Sequence, residues 1–346
     1  MINKNNKKII ENQLGIVVAE LAKEKITILR TANQCIEDAM KLPALKKNFG
    51  TFWFSGDLVI LAGDTGVGKT LLAVLIAIGL TSDQNQILGQ EVEVQVVVLY
   101  YDFELREEHF LERYRNFKFS NILYRSTFNK DYEGKDQFSI DIIKEDIEKT
   151  GAKVVIIDNI TVLESKTTQD AETAKKIINE LNKLRKRGIS ILVLAHTPKI
   201  PRGIPIDINH LAGSKYLANL VDSVFFIARS SESPKYRYLK NMKPRNTEDT
   251  DQVVVIEVYK DDNLLGFRFV KVDEEINHIK SLNSSEKDKM LEQVMEMINQ
   301  NIPYREIAKE LGIPKSTVSN WNKKYRKRSR PKPKNGTKNT KASDNQ

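Results

Sequence analysis

Cysteine is almost missing: Cys35 is the single one in 346 residues. That excludes an intramolecular disulfide and suits a reducing compartment. Cys35 itself reads as a small buried apolar residue. One cysteine and four separated histidines cannot build the usual zinc clusters. No apolar run is long enough to cross a bilayer, and the most apolar window, 71–80, is better read as a buried helix. The opening MINKNNKKIIENQ lacks the apolar core of a secretory signal. The expectation is a soluble, cytoplasmic protein with no membrane partner. Acidic charge is scarce only at the carboxyl end: positions 322–346 hold ten Lys or Arg against Asp344, which equals the whole chain's net +9. Basicity is therefore a property of a tail and not of the whole molecule.

What is present is ordinary globular material, 40% hydrophobic and 29% charged. Apolar, β-rich runs at 58–62, 95–101, 153–158 and 190–195 alternate with helical patterns at 69–80, 105–117, 139–150 and 171–187. Runs such as VVVLYY, VVIID and ILVLA are apolar on both faces, as parallel strands covered by helices should be. After Asp222 the segments 223–228, 236–242, 253–259 and 267–272 are short and closely spaced, which predicts antiparallel strands at one sheet edge. Before position 50 the chain is Lys- and Asn-rich and then carries short helical patterns at 16–21 and 36–42. The fold class is α/β, with a small all-α unit behind it.

Gly63-Asp64-Thr65-Gly66-Val67-Gly68-Lys69-Thr70 satisfies G-x-x-x-x-G-K-[ST]. The glycines let backbone N–H groups converge on phosphate oxygens, and the following helix adds the positive end of its dipole. Lys69 would reach the β- and γ-phosphates and Thr70 would help hold Mg²⁺. A Gly-rich turn without a ligand is the competing reading. The apolar strand before the loop and the apolar helix after it weigh against that. Asp158 ends the run Val154-Val155-Ile156-Ile157 and is the natural second magnesium residue.

Tyr100-Tyr101-Asp102-Phe103-Glu104 closes the strand after the P-loop helix. Here the chain resembles the RecA-like P-loop ATPases, in particular the plasmid RepA and DnaB-type hexameric helicases and the RadA recombinases. That resemblance covers about 40–272 and implies an ATP- and Mg²⁺-dependent AAA-type ATPase working as a homo-oligomer, a hexameric ring in the helicases. It implies that Glu104 activates the attacking water, with Asp102, on the same strand face, as second choice. Two acids capping the next helix is the alternative. It implies that His196, after Leu192-Val193-Leu194-Ala195, senses the γ-phosphate; a structural histidine is the other reading. Lys243-Pro244-Arg245-Asn246 resembles the element through which one subunit offers Lys243 and Arg245 to its neighbour's nucleotide. Pro244 and Thr247 depart from the pattern, and a solvated basic turn competes. His210-Leu211-Ala212-Gly213-Ser214-Lys215 resembles a ring-helicase segment but has Ala212 in place of its Arg. There Lys215 substitutes for that cation or Ser214 caps a helix.

Residues 286–325 predict three helices, at 286–299, 303–311 and 315–325. The last two form a helix-turn-helix: Ile307, Ala308 and Leu311 inward, Gly312 at the turn, Ile313 plugging the core and Val318 anchoring the second helix. Lys315, Ser316, Thr317, Ser319 and Asn320 would face the major groove of DNA, with Lys323 and Lys324 near phosphates. A small bundle for protein contact is the alternative reading. The expected division is 1–50 a helical or linker segment, 51–272 the RecA-like ATPase domain, 273–285 a linker, 286–328 the helix-turn-helix DNA-binding domain, and 329–346 a disordered basic tail. The function this implies is an ATP-driven motor on DNA, a RepA-type replication or mobilisation helicase of a plasmid or mobile element. A DNA-binding regulatory ATPase that does not unwind is the alternative.

Overall fold

The computed structural model describes residues 27–42, 44–129, 131, 138–159, 171–197, 204–211, 215–243, 251–279, 284–311, 313 and 315–328. They fall in two compact units, Met1–Leu45 and Lys46–Gln346. The first contains helix α1 (Ala32–Met40), started by a capping box in which Thr31 and Gln34 exchange hydrogen bonds at 3.2 and 3.0 Å. None of its residues is buried. Cys35 is therefore exposed, which corrects the expectation of a buried thiol. The helical pattern expected at 16–21 lies outside the described residues.

In the second unit the strands are β1 (Lys47–Phe49), β2 (Trp53–Phe54), β3 (Leu58–Gly63), β4 (Gln86–Ile87), β5 (Gln90–Glu91), β6 (Val98–Asp102) and β7 (Leu123–Ser126). After them come β8 (Val154–Asp158), β9 (Ser190–His196), β10 (Ser223–Arg229), β11 (Tyr236–Asn241), β12 (Gln252–Lys260) and β13 (Leu265–Glu274). The helices are α2 (Lys69–Thr81), α3 (Glu107–Tyr114), α4 (Ile140–Thr150), α5 (Ala171–Lys186), α6 (Lys215–Leu220), α7 (Ser284–Asn299), α8 (Tyr304–Glu310) and α9 (Lys315–Arg328).

Nine strands form one sheet in the order β13-β12-β11-β10-β3-β9-β8-β6-β7. From β10 to β7 all neighbours are parallel, and β11, β12 and β13 add on antiparallel. The central strands are buried throughout because alternate residues feed two cores. Val59, Leu61, Val98, Tyr100, Ile156 and Leu192 face α2. Leu58, Ile60, Leu99, Ile157 and Val193 face Ile143 of α4 and Ile178 and Leu181 of α5. This is the expected α/β core, a mostly parallel sheet covered by helices with antiparallel strands at one edge.

Several elements differ from the sequence expectation. Strand β10 pairs in parallel with β3, so only the three strands after it are the antiparallel edge. Strand β6 begins three residues late because Gln95 takes φ +54° and turns its N–H to Ser82. Helix α3 begins late because the Asp102 carboxylate accepts from Leu105 N at 2.9 Å and holds that stretch as a turn. Strand β7 had no sequence signal: LYRS is short and half-exposed at the sheet edge. Order also continues past 272, where β13 runs on into a 3₁₀ turn with Glu275 and His278 buried.

Helices α7 to α9 share a small core of Val294, Ile307, Ile313 and Val318, with Ala308 and Leu311 packed on it as expected and Ile204 packed on it from the sheet-bearing part. No described helix is long and apolar enough to cross a membrane.

Candidate active site

The site forms where the carboxyl ends of β3, β9, β8 and β6 lie side by side, the edge at which open parallel sheets gather ligands. Registers fix the neighbours: Gly63 lies beside His196, and Asp102 beside Asp158. The loop 63–70 leaves β3 and enters α2. Gly68 adopts φ +111°, and a Cβ there would sit 2.6 Å from Phe267 Cζ. Gly63 is extended, but a Cβ would meet Ile227 O at 2.7 Å. Both positions need glycine, one for conformation and one for space. Asp64, Thr65 and Gly66 lie outward, whereas Val67 is buried. Two arginines outside the sequence motif hold this loop: Arg229 Nη2 donates to Gly66 O at 2.8 Å and Arg237 Nε to Val67 O at 3.0 Å.

Lys69 is buried, and its ammonium donates to Gly63 O (2.9 Å), Asp64 O (3.1 Å) and His196 Nδ1 (3.1 Å). Burial pulls its pKa down, opposed by Glu104, Asp158 and Asp64. With Nδ1 accepting from Lys69, the His196 proton sits on Nε2, which faces Asn159 Nδ2 at 3.3 Å and Glu104 Oε1 at 3.8 Å. Burial and the Lys69 charge hold His196 below the usual range, so it is neutral near pH 7.

Asp158 is fully buried, and its Oδ2 accepts from Thr70 Oγ1 at 2.7 Å and from Tyr100 OH at 3.0 Å. Its Oδ1 is buried without a hydrogen-bond partner. Burial pushes the carboxyl up to about 6, reinforced by Glu104, while the bonds from Thr70 and Tyr100 pull the other way. An orphaned buried carboxylate oxygen beside a threonine hydroxyl fits a hard, oxygen-seeking divalent cation such as Mg²⁺. Glu104 follows β6 with a partly exposed side chain, and its Oε2 accepts from Asn159 Nδ2 at 3.3 Å.

The structure thus brings together Lys69, Thr70, Glu104, Asp158 and His196. Asp102 does not join them. It is buried against Arg125 (Nε to Oδ2, 2.9 Å) and caps Leu105, so it is occupied structurally. Lys243 stands apart: its ammonium donates to the carbonyls of Ala218 and Val221, both at 2.7 Å, at the end of α6. Arg245, Ala212, Gly213 and Ser214 lie outside the described residues. Sequence reasoning missed Tyr100, Asn159, Arg125, Arg229 and Arg237. Only Asn159, directly after Asp158, had a positional signal.

At the helical unit, Lys315 and Asn320 are exposed and Thr317 and Ser319 half-buried on α9. The side chains of Ser316, Lys323 and Lys324 are outside the described set. Asn322, unforeseen, is buried and donates to Tyr304 OH.

Residues 28–201 match the AAA domain family, half of the chain, and residues 283–333 match the homeodomain-like domain. The chain is 25% identical to the DNA repair protein RadA of Helicobacter pylori over 198 residues, 55% of this chain and 37% of that protein. It is 23% identical to the protein of the same name from Chlamydia pneumoniae over 215 residues, 60% of this chain and 40% of that one. The chain therefore spans about two fifths of the length of these relatives. A solved KaiC-like protein from Pyrococcus horikoshii OT3 is similar over 63% of this chain and 91% of its own, at 15% identity and a TM-score of 0.46.

Proposed function

The chain belongs to the AAA domain family, and from that premise we propose that it is an ATP-hydrolysing, RecA-like motor that acts on DNA. The observation that carries the reading is the pairing of Thr70 with Asp158, whose second carboxylate oxygen has no partner, 88 residues away in sequence and beside the Lys69 loop. Such a desolvated, unsatisfied carboxylate costs stability, and a bound cation would offset that cost.

In this mechanism the backbone amides of 63–70 take the phosphates, and the Lys69 ammonium exchanges its two carbonyls and His196 for phosphate oxygens. Thr70 and Asp158 would hold magnesium, which when bound neutralises charge on the transferred phosphoryl group. Glu104 accepts the proton of the attacking water at its carboxylate, which the amide of Asn159 steadies. His196, released by Lys69, senses the γ-phosphate by donating a hydrogen bond to it, which requires the ring proton to move from Nε2 to Nδ1 once Lys69 leaves. Arg245, and Lys243 once freed from α6, serve a neighbouring protomer's nucleotide in a homo-oligomeric ring. DNA is engaged through α9, with Lys315, Ser316, Thr317, Ser319 and Asn320 at the major groove and Lys323 and Lys324 at phosphates.

The finer reading is a RepA-type helicase of a plasmid or mobile element. The relatives' name, DNA repair protein, supports a DNA-linked role of the same broad kind. A regulatory ATPase that oligomerises on DNA without unwinding draws its support from Ile204, which joins the helical unit's core. Turnover and binding of a non-hydrolysable ATP analogue on Glu104→Gln provide the test. At least a hundredfold loss of turnover with binding retained is expected. Unchanged turnover would refute the role of Glu104, and no Mg-ATP binding by the wild-type chain would refute the motor itself. Strand displacement separates the helicase from the regulator.

A further inference from the structure

The geometry points to Arg125 as the positioning residue for Glu104. The inference rests on the proposed role of Glu104 as the base. Arg125 lies on β7, at the sheet edge, in register with Tyr100 of β6. Its guanidinium is largely buried, and its hydrogen bonds run to the stretch 102–107. Nε donates to Asp102 Oδ2 at 2.9 Å, Nη1 to both Glu107 carboxylate oxygens at 2.8 Å, and Nη2 to Leu105 O at 2.9 Å. The guanidinium carbon Cζ also lies over the Phe110 ring, 4.2 Å from its centroid.

Glu104 sits in the middle of that stretch. None of these bonds reaches Glu104 itself, so its carboxylate stays exposed to a water molecule. Both flanks of the turn are meanwhile clamped from one rigid fork. Asp102 N-terminal to Glu104, and Leu105 and Glu107 C-terminal to it, are held to the same group. A second tie, Phe103 N to Asp158 O at 3.0 Å, fixes the turn to the strand that carries the cation-binding carboxylate. Arg125 thereby sets the distance between the base and the Asp158 side of the site.

A lysine separates this role from a general loss of fold. Arg125→Lys keeps the positive charge that Asp102, buried to 1% exposure, requires. One ammonium cannot span Asp102, Leu105 and Glu107 together. In the full chain, Arg125→Lys is expected to lower kcat for ATP at least tenfold while KM and the affinity for a non-hydrolysable ATP analogue stay within twofold. Introduced into Glu104→Gln, it should lower the residual turnover by less than twofold. An unchanged kcat, a rise in KM that matches the fall in kcat, or an undiminished effect in the Glu104→Gln background would each overturn the assignment. Glu104→Gln alone distinguishes the two failures: full activity in that variant removes the base, whereas its inactivity beside a fully active Arg125→Lys removes only the positioning role.

Discussion

Asp158 allows a test of the site that needs neither turnover nor DNA. In the ligand-free protein its carboxyl is pushed from an ordinary value near 3.8 up to about 6, chiefly by burial. A folded value above the unfolded one means that the folded state prefers the protonated acid. Asp158 therefore costs nothing well below pH 4; its cost grows as pH rises from about 4 to about 6 and levels off above that. That rise is worth about 3 kcal/mol at neutral pH. Asp158→Asn removes the titration while leaving an acceptor for Thr70 and Tyr100. Its new amide N–H₂, where Oδ1 has no partner, adds a penalty that does not depend on pH. The difference in unfolding free energy between variant and wild type, from denaturant titrations at each pH, isolates the acid. It should shift by about 3 kcal/mol in favour of the variant between pH 3 and 7 and be flat above that. A difference that stays constant across this range would refute the reading of Asp158 as a desolvated carboxylate. Saturating Mg²⁺ with a non-hydrolysable ATP analogue should stabilise the wild type far more than the variant, which joins the cost to the ligand that relieves it.

Gly68→Ala places a Cβ at φ +111° and 2.6 Å from Phe267, so it should lose about 1–3 kcal/mol of stability and most affinity for the ATP analogue, read by thermal denaturation and calorimetry. Lys243→Ala strips the carbonyls of Ala218 and Val221 of their ammonium partner and should cost about 1–3 kcal/mol in a denaturant titration. Full stability with lost turnover would instead place that ammonium at a neighbour's nucleotide.

The parts of this site that could be read from sequence are those whose signal is local. The P-loop announces itself because eight consecutive residues must satisfy backbone geometry and charge together. Asp158 and His196 announce themselves because a buried strand that ends in a polar residue is visible in its own few letters. What stayed hidden is held across strands. Tyr100 looks like one more aromatic in an apolar run, yet the sheet's alternation turns its hydroxyl onto Asp158, 58 positions away. Asp102 and Glu104 are equivalent by alternation, and what tells them apart is contacts such as that of Arg125, 23 positions from Asp102 on a strand without a periodic pattern. Arg237 reaches Val67 over 170 positions. The parallel pairing of β10 was missed for a related reason, because strand direction depends on the crossover that precedes it and not on the strand's own residues.

The helical unit is more than an appendage on a string. Ile204 packs on the core of Val294, Ile307, Ile313 and Val318. Two residues on, Ile206 is fixed at both backbone groups: its N–H donates to Glu275 at 2.8 Å and its carbonyl accepts from Lys240 Nζ at 3.3 Å. Glu275 and Lys240 are themselves a buried ion pair, with Tyr238 OH donating to the same carboxylate. Removing one member would strand a charge of the other at a cost of about 3–5 kcal/mol, so the anchor holds or fails as a unit. Lys240 and Tyr238 belong to β11, the strand whose Arg237 supports the P-loop at Val67, and Ile204 follows the stretch that leaves β9 at His196. The seat of the helix-turn-helix and the floor of the candidate nucleotide site are thus built on the same strands.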